Sequence, residues 1–294
     1  MKQVKDLQIK PVPIPPGYLH PDVPNTILPQ HEFTLGLIAP VGGGKTTLIV
    51  NLLKFYKGYF NRIYIFSPTI LSDEKWDYVK KLPLLVENKA LKRKIRQWEN
   101  EEEKKSIIIK KPKASRADVP YDLETPFEPY IPEKNFFTEY KEEDLRESLK
   151  DQKKLIDFLK DKDEPKYLAD RVLYIFDDQV GSDLFNARKD NFFKGFNTSH
   201  RHYSSSIIVV SQGYKEIPKT VRVNWHALII FEIANMAEVE VIYKEFPMGY
   251  KFQDWLKIYN IAVSNEHDFL YLNRKKPKKF RMMKNFTSYL FLKN

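Results

Sequence analysis

The chain has 294 residues, 42% of them hydrophobic, with 20 Phe and 17 Tyr, which is enough apolar material for one large domain or two modest ones. It has no cysteine, which excludes disulfides, Cys-ligated zinc and thiol catalysis and is compatible with a reducing intracellular setting. The formal net charge of +10 suits either a polyanion partner or simple solubility; no apolar run approaches the roughly 20 residues of a bilayer span, and the first residues lack the apolar centre of a secretory signal.

Residues 1–30 carry Pro11, Pro13, Pro15, Pro16, Pro21, Pro24 and Pro29. Proline removes backbone donors and disfavours helix in the residue before it, so this stretch is expected to be an extended arm. The rest, 31–294, is expected to be a single domain. Residues 33–38, FTLGLI, read as a buried strand. Leu48, Ile49, Leu52, Leu53 and Tyr56 then recur at helical spacing until Lys57-Gly58, and RIYIF at 62–66 is a second strand. Strand, loop, helix, strand in so short a span is a βαβ unit, whose strands are parallel.

Residues 72–170 change character. Helical patterns at 89–105 and 139–161 are charged almost throughout, with a thin apolar stripe that includes Leu145, Leu149, Leu155 and Leu159. A Pro-rich stretch runs from Pro112 to Pro132 between them. The region is expected to be an insertion in an α/β core. Short β-branched runs then resume at 172–176, 207–210 and 228–231, as central strands covered on both faces require. The fold class that follows is α/β, with a mainly parallel sheet, helices on both faces and a charged, partly helical insertion.

Between the first strand and the first helix stands APVGGGKT, 39–46. It fits the phosphate-loop pattern G-x-x-x-x-G-K-[ST], with Ala39 at the first position. Gly42, Gly43 and Gly44 let backbone N–H groups turn inward around phosphates, and the helix start adds free amides and a positive dipole end. Pro40, Val41, Gly42, Gly43, Gly44, Lys45, Thr46 and Thr47 are thus the expected nucleotide-contacting residues. Lys45 would reach the β- and γ-phosphates of ATP, and the Thr46 hydroxyl would ligate Mg²⁺. A Gly-rich turn with no ligand is the plainer alternative, but the strand before and the helix after supply the context that the motif needs.

The strand at 172–176 runs into Asp177-Asp178. An acid at a strand's carboxyl end can hold Mg²⁺, and the next can orient or deprotonate water. Asp177 is expected at the metal and Asp178 at the water. Ser211-Gln212 ends the next apolar strand, and polar residues at such ends point into the binding crevice, so Gln212 is a further candidate for contact with water or the γ-phosphate.

Taken in order, APVGGGKTTL, IFSPT, LYIFDD, SHRHYSSSIIVVSQ at 199–212, IPKTVRVN at 217–224 and EVEVIYKEF at 238–246 resemble the viral DNA-packaging ATPases of the poxvirus, giant-virus and virophage type, within the FtsK–HerA superfamily. The resemblance covers about 33–70 and 170–290 and leaves 72–170 without a counterpart. The acidic pair is Asp-Asp where many of these proteins carry Asp-Glu. The resemblance implies a RecA-like fold, ATP at the subunit boundaries of a homo-oligomeric ring, and translocation of double-stranded DNA into a preformed capsid, in the host cytoplasm or nucleus or in association with the virion. It also implies an arginine lent by the neighbouring subunit. Arg201 is the first candidate and Arg222 the second. His200 and His202 flank Arg201 without a third metal ligand.

For DNA, the segment 273–294 holds Arg274, Lys275, Lys276, Lys278, Lys279, Arg281 and Lys284 and no acid, which suits phosphate contact without sequence readout. A lysine-guarded edge hairpin and a nuclear-targeting patch are the alternatives, and the basic run 89–96 is a second candidate. Two other readings of the whole remain at this stage: a nucleotide-dependent switch, and a helicase or nucleotide kinase.

Overall fold

The computed structural model describes residues 20–109, 120–179, 181–186 and 191–292, with side chains left undescribed over 102–109. The first 19 residues of the expected proline arm therefore lie outside the described residues. The elements in chain order are β1 (Thr34–Ile38), α1 (Lys45–Phe55), β2 (Arg62–Phe66), α2 (Glu74–Lys80), α3 (Lys89–Ile109), β3 (Phe136–Phe137), α4 (Glu142–Asp161), β4 (Val172–Asp177), α5 (Phe192–Ser199), β5 (Ser205–Ser211), α6 (Lys219–Arg222), β6 (Ala227–Ile230), α7 (Met236–Glu245), α8 (Phe252–Ala262), β7 (Leu270–Asn273), β8 (Met282–Lys284) and β9 (Ser288–Tyr289).

The strands form one sheet in the order β3-β2-β4-β5-β1-β6-β7-β8-β9. From β3 to β6 every pairing is parallel; β7, β8 and β9 add on antiparallel. Side chains alternate across the sheet, as the two-residue period of a strand dictates. Leu35 and Leu37 of β1, Leu173 and Ile175 of β4, and Ile208 and Val210 of β5 pack beneath α1 and α2. Ile38, Tyr174, Phe176, Ile207 and Val209 face the other way, under α4, α5, α7 and α8. The sheet is thus buried on both faces, which is why its strands read as continuous apolar runs. Gly36, in the middle of β1, leaves room for the Trp225 ring, which stands 2.3 Å from where a Cβ would be.

The order places β5 between β1 and β4. The strand that feeds the glycine loop and the strand that ends in the acidic pair are therefore not neighbours. Two strand spacings, about 10 Å, separate their carboxyl ends, and the end of β5 lies between them.

The segment between β2 and β4 is a long crossover joining two neighbouring parallel strands. Its helices are part of the core. Leu145 and Leu149 of α4 pack with Phe66, Tyr174 and Phe176 of the sheet. Leu155 and Leu159 turn to Leu91 and Ile95 of α3. β3 extends the parallel edge beside β2. The described end of the proline arm runs along the amino ends of the strands: Tyr56 and Tyr59 donate their hydroxyls to the carbonyls of Pro29 and Pro21, and Tyr271 to that of Ile27. Among the described residues no helix is long and apolar enough to cross a membrane.

Candidate functional site

The parallel strands all point their carboxyl ends to one side of the sheet, and the loops there enclose a cavity of about 710 Å³. The glycine loop forms its floor. Gly44 caps α1 in the left-handed region, φ 95°, and offers no side-chain cap to the first helical amides. Gly42 also has a positive φ, 76°. Unmet amides at a helix start, reached through left-handed glycines, make a cradle for an anion. The loop is itself braced, since Gly43 N–H donates to the Pro40 carbonyl at 3.0 Å. Lys45 turns its ammonium onto the carbonyls of Ala39 and Pro40, at 3.2 and 3.3 Å.

Opposite the loop stand the ends of β4 and β5. Gln212 donates its side-chain amide to Asp178 Oδ2 at 2.7 Å. Asp178 holds a left-handed backbone, φ 49°, an uncommon state for a residue with a side chain and one often found at functional sites. The turn after Gln212 is fixed by Glu216, whose carboxylate accepts from Ser211 Oγ at 2.8 Å and Gly213 N–H at 2.9 Å.

Asp177 lies just beneath, only 3% exposed. Its Oδ2 accepts from Ser67 Oγ at 2.7 Å, while Oδ1 is buried without a hydrogen-bond partner. Burial pushes its carboxyl up to about 6; the Asp178 charge adds to this, and the Ser67 hydrogen bond and Lys45 oppose it. A buried carboxylate with one unmet oxygen is the state that a cation would relieve. Asp177 lies behind the cavity wall and Thr46 in it; the unmet carboxylate oxygen and the hydroxyl are a donor set that fits Mg²⁺ bound together with a nucleotide.

The cavity wall brings together Val41 through Thr47, Asp178 and Gln212. Pro40 is not part of the wall and serves through its carbonyl alone. Arg201 is elsewhere. It precedes β5 and is exposed at the amino end of the strands, across the sheet from the loop. Arg222 requires a correction. It is buried, ion-paired with Glu245 at 2.9 Å, donates to the Tyr214 carbonyl at 2.9 Å, and lies over the Tyr214 ring. A guanidinium held this way is not available to a neighbouring subunit. His200 is buried, with Nδ1 on the Asn197 carbonyl, and His202 is exposed.

The basic segment also divides. Arg274 is corrected as a DNA contact, because its guanidinium packs on Phe246 and donates to the carbonyls of Val223, Trp225 and Glu245. Lys276 donates to the Thr26 carbonyl and Arg281 to that of Lys276. Lys275, Lys278 and Lys279 are exposed on the loop between β7 and β8. Because β7 runs antiparallel to β6, that loop is at the end of the sheet away from the cavity. In the 89–96 run, Lys92 and Lys94 are ion-paired with Glu87 and Glu164. Near the same end, His20, His31 and Glu32 converge, but Lys166 is paired with Glu32 and both His31 ring nitrogens face serine hydroxyls, so the cluster is a structural tie.

Several cavity residues escaped the sequence reading. Ser67, which follows β2 and is buried behind the wall on Asp177, was legible by the rule that singled out Gln212. Lys75, on α2, lies in the segment expected to be an insertion. Asn51, Phe231, His267 and Phe269 complete the wall, and the last two come from a loop distant in sequence, for which no local signal exists.

The Poxvirus A32 protein family matches residues 123–272, about half the chain, which bears out the resemblance drawn from motif order. The match begins within the segment for which the resemblance gave no counterpart, so 123–170 is shared with the family. The glycine loop lies upstream of the match and stands on its own motif and geometry. No curated protein matches the chain. Among solved structures, the genome packaging NTPase B204 from Sulfolobus turreted icosahedral virus 2 in complex with AMP is similar with a TM-score of 0.50 at 11% identity, over 86% of this chain and 96% of that one. The same NTPase in complex with ATP-gammaS gives 0.50 at 12% identity, over 86% and 96%. At such identities the likeness is one of fold.

Proposed function

The chain belongs to the Poxvirus A32 protein family, and from that premise we propose that it is an ATPase of viral genome packaging that moves double-stranded DNA into a preformed capsid as a homo-oligomeric ring. The observation that carries this reading is the facing of the glycine loop by the Asp178–Gln212 pair across the end of β5.

The triphosphate lies on the amides of Gly42 to Thr47, and Lys45 leaves the Ala39 and Pro40 carbonyls for the phosphate oxygens. Thr46 and Asp177 would hold Mg²⁺, which would neutralise phosphate charge when bound. Asp178 and Gln212 hold the attacking water in line. As the water oxygen bonds to the γ-phosphorus, the bond to the bridging oxygen breaks and ADP leaves. The water proton passes to the Asp178 carboxylate. Arg201, at the far end of its own sheet, is the arginine offered to the next subunit's phosphates.

The test is ATP hydrolysis by the purified protein with and without long double-stranded DNA over a salt series, beside Asp178→Asn. Stimulation that fades with salt and vanishes in the variant is expected. Turnover indifferent to DNA would favour the switch or kinase reading, or a motor that fires only with its capsid partner.

A further inference from the structure

The strand order gives the cavity two unlike halves. On one side of β1 lie β5, β4 and β2, which deliver Gln212, Asp178 and, through α2, Lys75 to the wall. On the other side lie β6 and β7, which deliver Phe231, Phe269 and His267. The first half is acidic and polar and faces the phosphate to be cleaved. The second half has an imidazole, two buried aromatics and no carboxylate in its wall; the exposed Glu266 carboxylate stands 3.7 Å from His267 Nε2 on its solvent side.

We propose that this second half is the nucleoside subsite, with His267 as the contact for the purine ring. The inference rests on the reading of the glycine loop as a nucleotide site. A triphosphate whose γ end meets Asp178 and Gln212 has its other end directed toward β6 and β7.

His267 is placed by a built loop. Its backbone is left-handed, φ 66°, a conformation that histidine adopts at some cost unless its surroundings impose it. Those surroundings centre on Asp268. Its carboxylate accepts from Asn265 N–H at 3.2 Å and Asn265 Nδ2 at 2.8 Å, from Asn285 Nδ2, and from the Lys284 ammonium at 2.6 Å. Asn285 Oδ1 in turn accepts from Phe269 N–H at 2.8 Å. So braced, the loop sets the imidazole Nδ1 3.6 Å from where a side chain on Gly44 would begin, while more than half of the side chain stays exposed. Behind it, Phe231 and Phe269 pack with ring centroids 5.4 Å apart. On the facing helix, Asn51 donates Nδ2 to the Thr47 carbonyl at 2.9 Å, which leaves Oδ1 as its acceptor toward a ligand. An aromatic face beside an amide acceptor is a surface on which a purine stacks and to which its exocyclic amine donates.

The test compares ATP with inorganic tripolyphosphate, which has the phosphates and no nucleoside. Glycine tolerates the left-handed backbone, so His267→Gly removes the ring without new strain. By competition against a fluorescent nucleotide, His267→Gly should bind ATP about tenfold more weakly, the scale of a lost base stack, and bind tripolyphosphate as the wild type does. A thermal melt matching the wild type shows that the loop is intact. Unchanged ATP affinity, or equal weakening for ATP and tripolyphosphate, would overturn the subsite. Failure of the wild type to bind either ligand would instead remove the nucleotide reading, and the subsite with it.

Discussion

Gln212 and Asp178 hold each other across the mouths of two adjacent strands, amide nitrogen to carboxylate oxygen at 2.7 Å. On the proposed reading, in which both groups hold the attacking water, they are one unit, and their substitutions should not add. Asp178→Asn is expected to lower kcat at least a hundredfold with nucleotide binding retained, and Gln212→Ala to lower it by about tenfold. The double variant should be no slower than Asp178→Asn alone. Steady-state turnover beside fluorescent-nucleotide binding checks this; a near-normal kcat in Asp178→Asn would remove the carboxylate from the mechanism.

Lys45 makes its hydrogen bonds to two carbonyls of its own loop, interactions that contribute little to the fold. Lys45→Ala should abolish ATP turnover and leave the melting temperature within a degree or two, as surface changes do. Normal turnover, or a large drop in melting temperature, would contradict the phosphate role.

The Asp177 carboxyl titrates near 6 in the folded chain against an ordinary 3.8, raised first by burial. A folded value above the unfolded one means that the folded state binds the extra proton. Stability from this group is then present at low pH and lost as pH rises from about 4 to 6. Asp177→Asn, which mimics the neutral form, should stabilise the nucleotide-free protein at pH 7.5 by about 2–3 kcal/mol, and the gain should vanish near pH 4. The same variant should lose the tightening of ATP binding by Mg²⁺. Denaturant melts across pH, with and without Mg²⁺ and nucleotide, read both outcomes.

The two arginines should separate cleanly. Arg222→Ala removes the cation beside Glu245 and leaves it only the Tyr214 hydroxyl, and is expected to cost about 3 kcal/mol of stability. Arg201→Ala should melt like the wild type. Mixed with an Asp178→Asn chain, it should restore turnover only where an intact arginine faces an intact pocket. If mixed assemblies gain nothing and Arg201→Ala alone turns over normally, the donated arginine is not Arg201.

For the basic segment, replacing Lys275, Lys278 and Lys279 by alanine should weaken binding to any DNA sequence. The slope of log K against log salt should flatten by about 0.9 for each phosphate that the chain no longer neutralises. Arg274→Ala should act instead on the melting temperature. Filter binding over a salt series distinguishes the two.

Local pattern carried much of this molecule into view. The strands that become β1, β2, β4, β5 and β6 were legible because each is a β-branched run buried on both faces, and α1 because its apolar stripe follows a glycine loop. The stripe of α4 was legible too, but its partner was not: nothing in Leu145 or Leu149 says that they close over Phe66 and Phe176. Strand order was equally hidden, since the insertion of β5 between β1 and β4 is a property of long-range pairing. Charge was the weakest guide. Arg222 and Arg274 look like the arginines around them, yet both are spent on internal partners that only the fold brings near, Glu245 and the Phe246 ring.

The chain along β5 begins just after Arg201 and ends at Gln212's neighbour Ser211, seven residues that span about 20 Å. If Arg201 completes catalysis, one polypeptide holds half of two different reaction centres and the whole of none. Specific activity would then rise with protein concentration until rings saturate, and an isolated molecule would be a nucleotide-binding protein and little more. Hydrolysis would report assembly, so an unassembled pool would idle without any separate inhibitor.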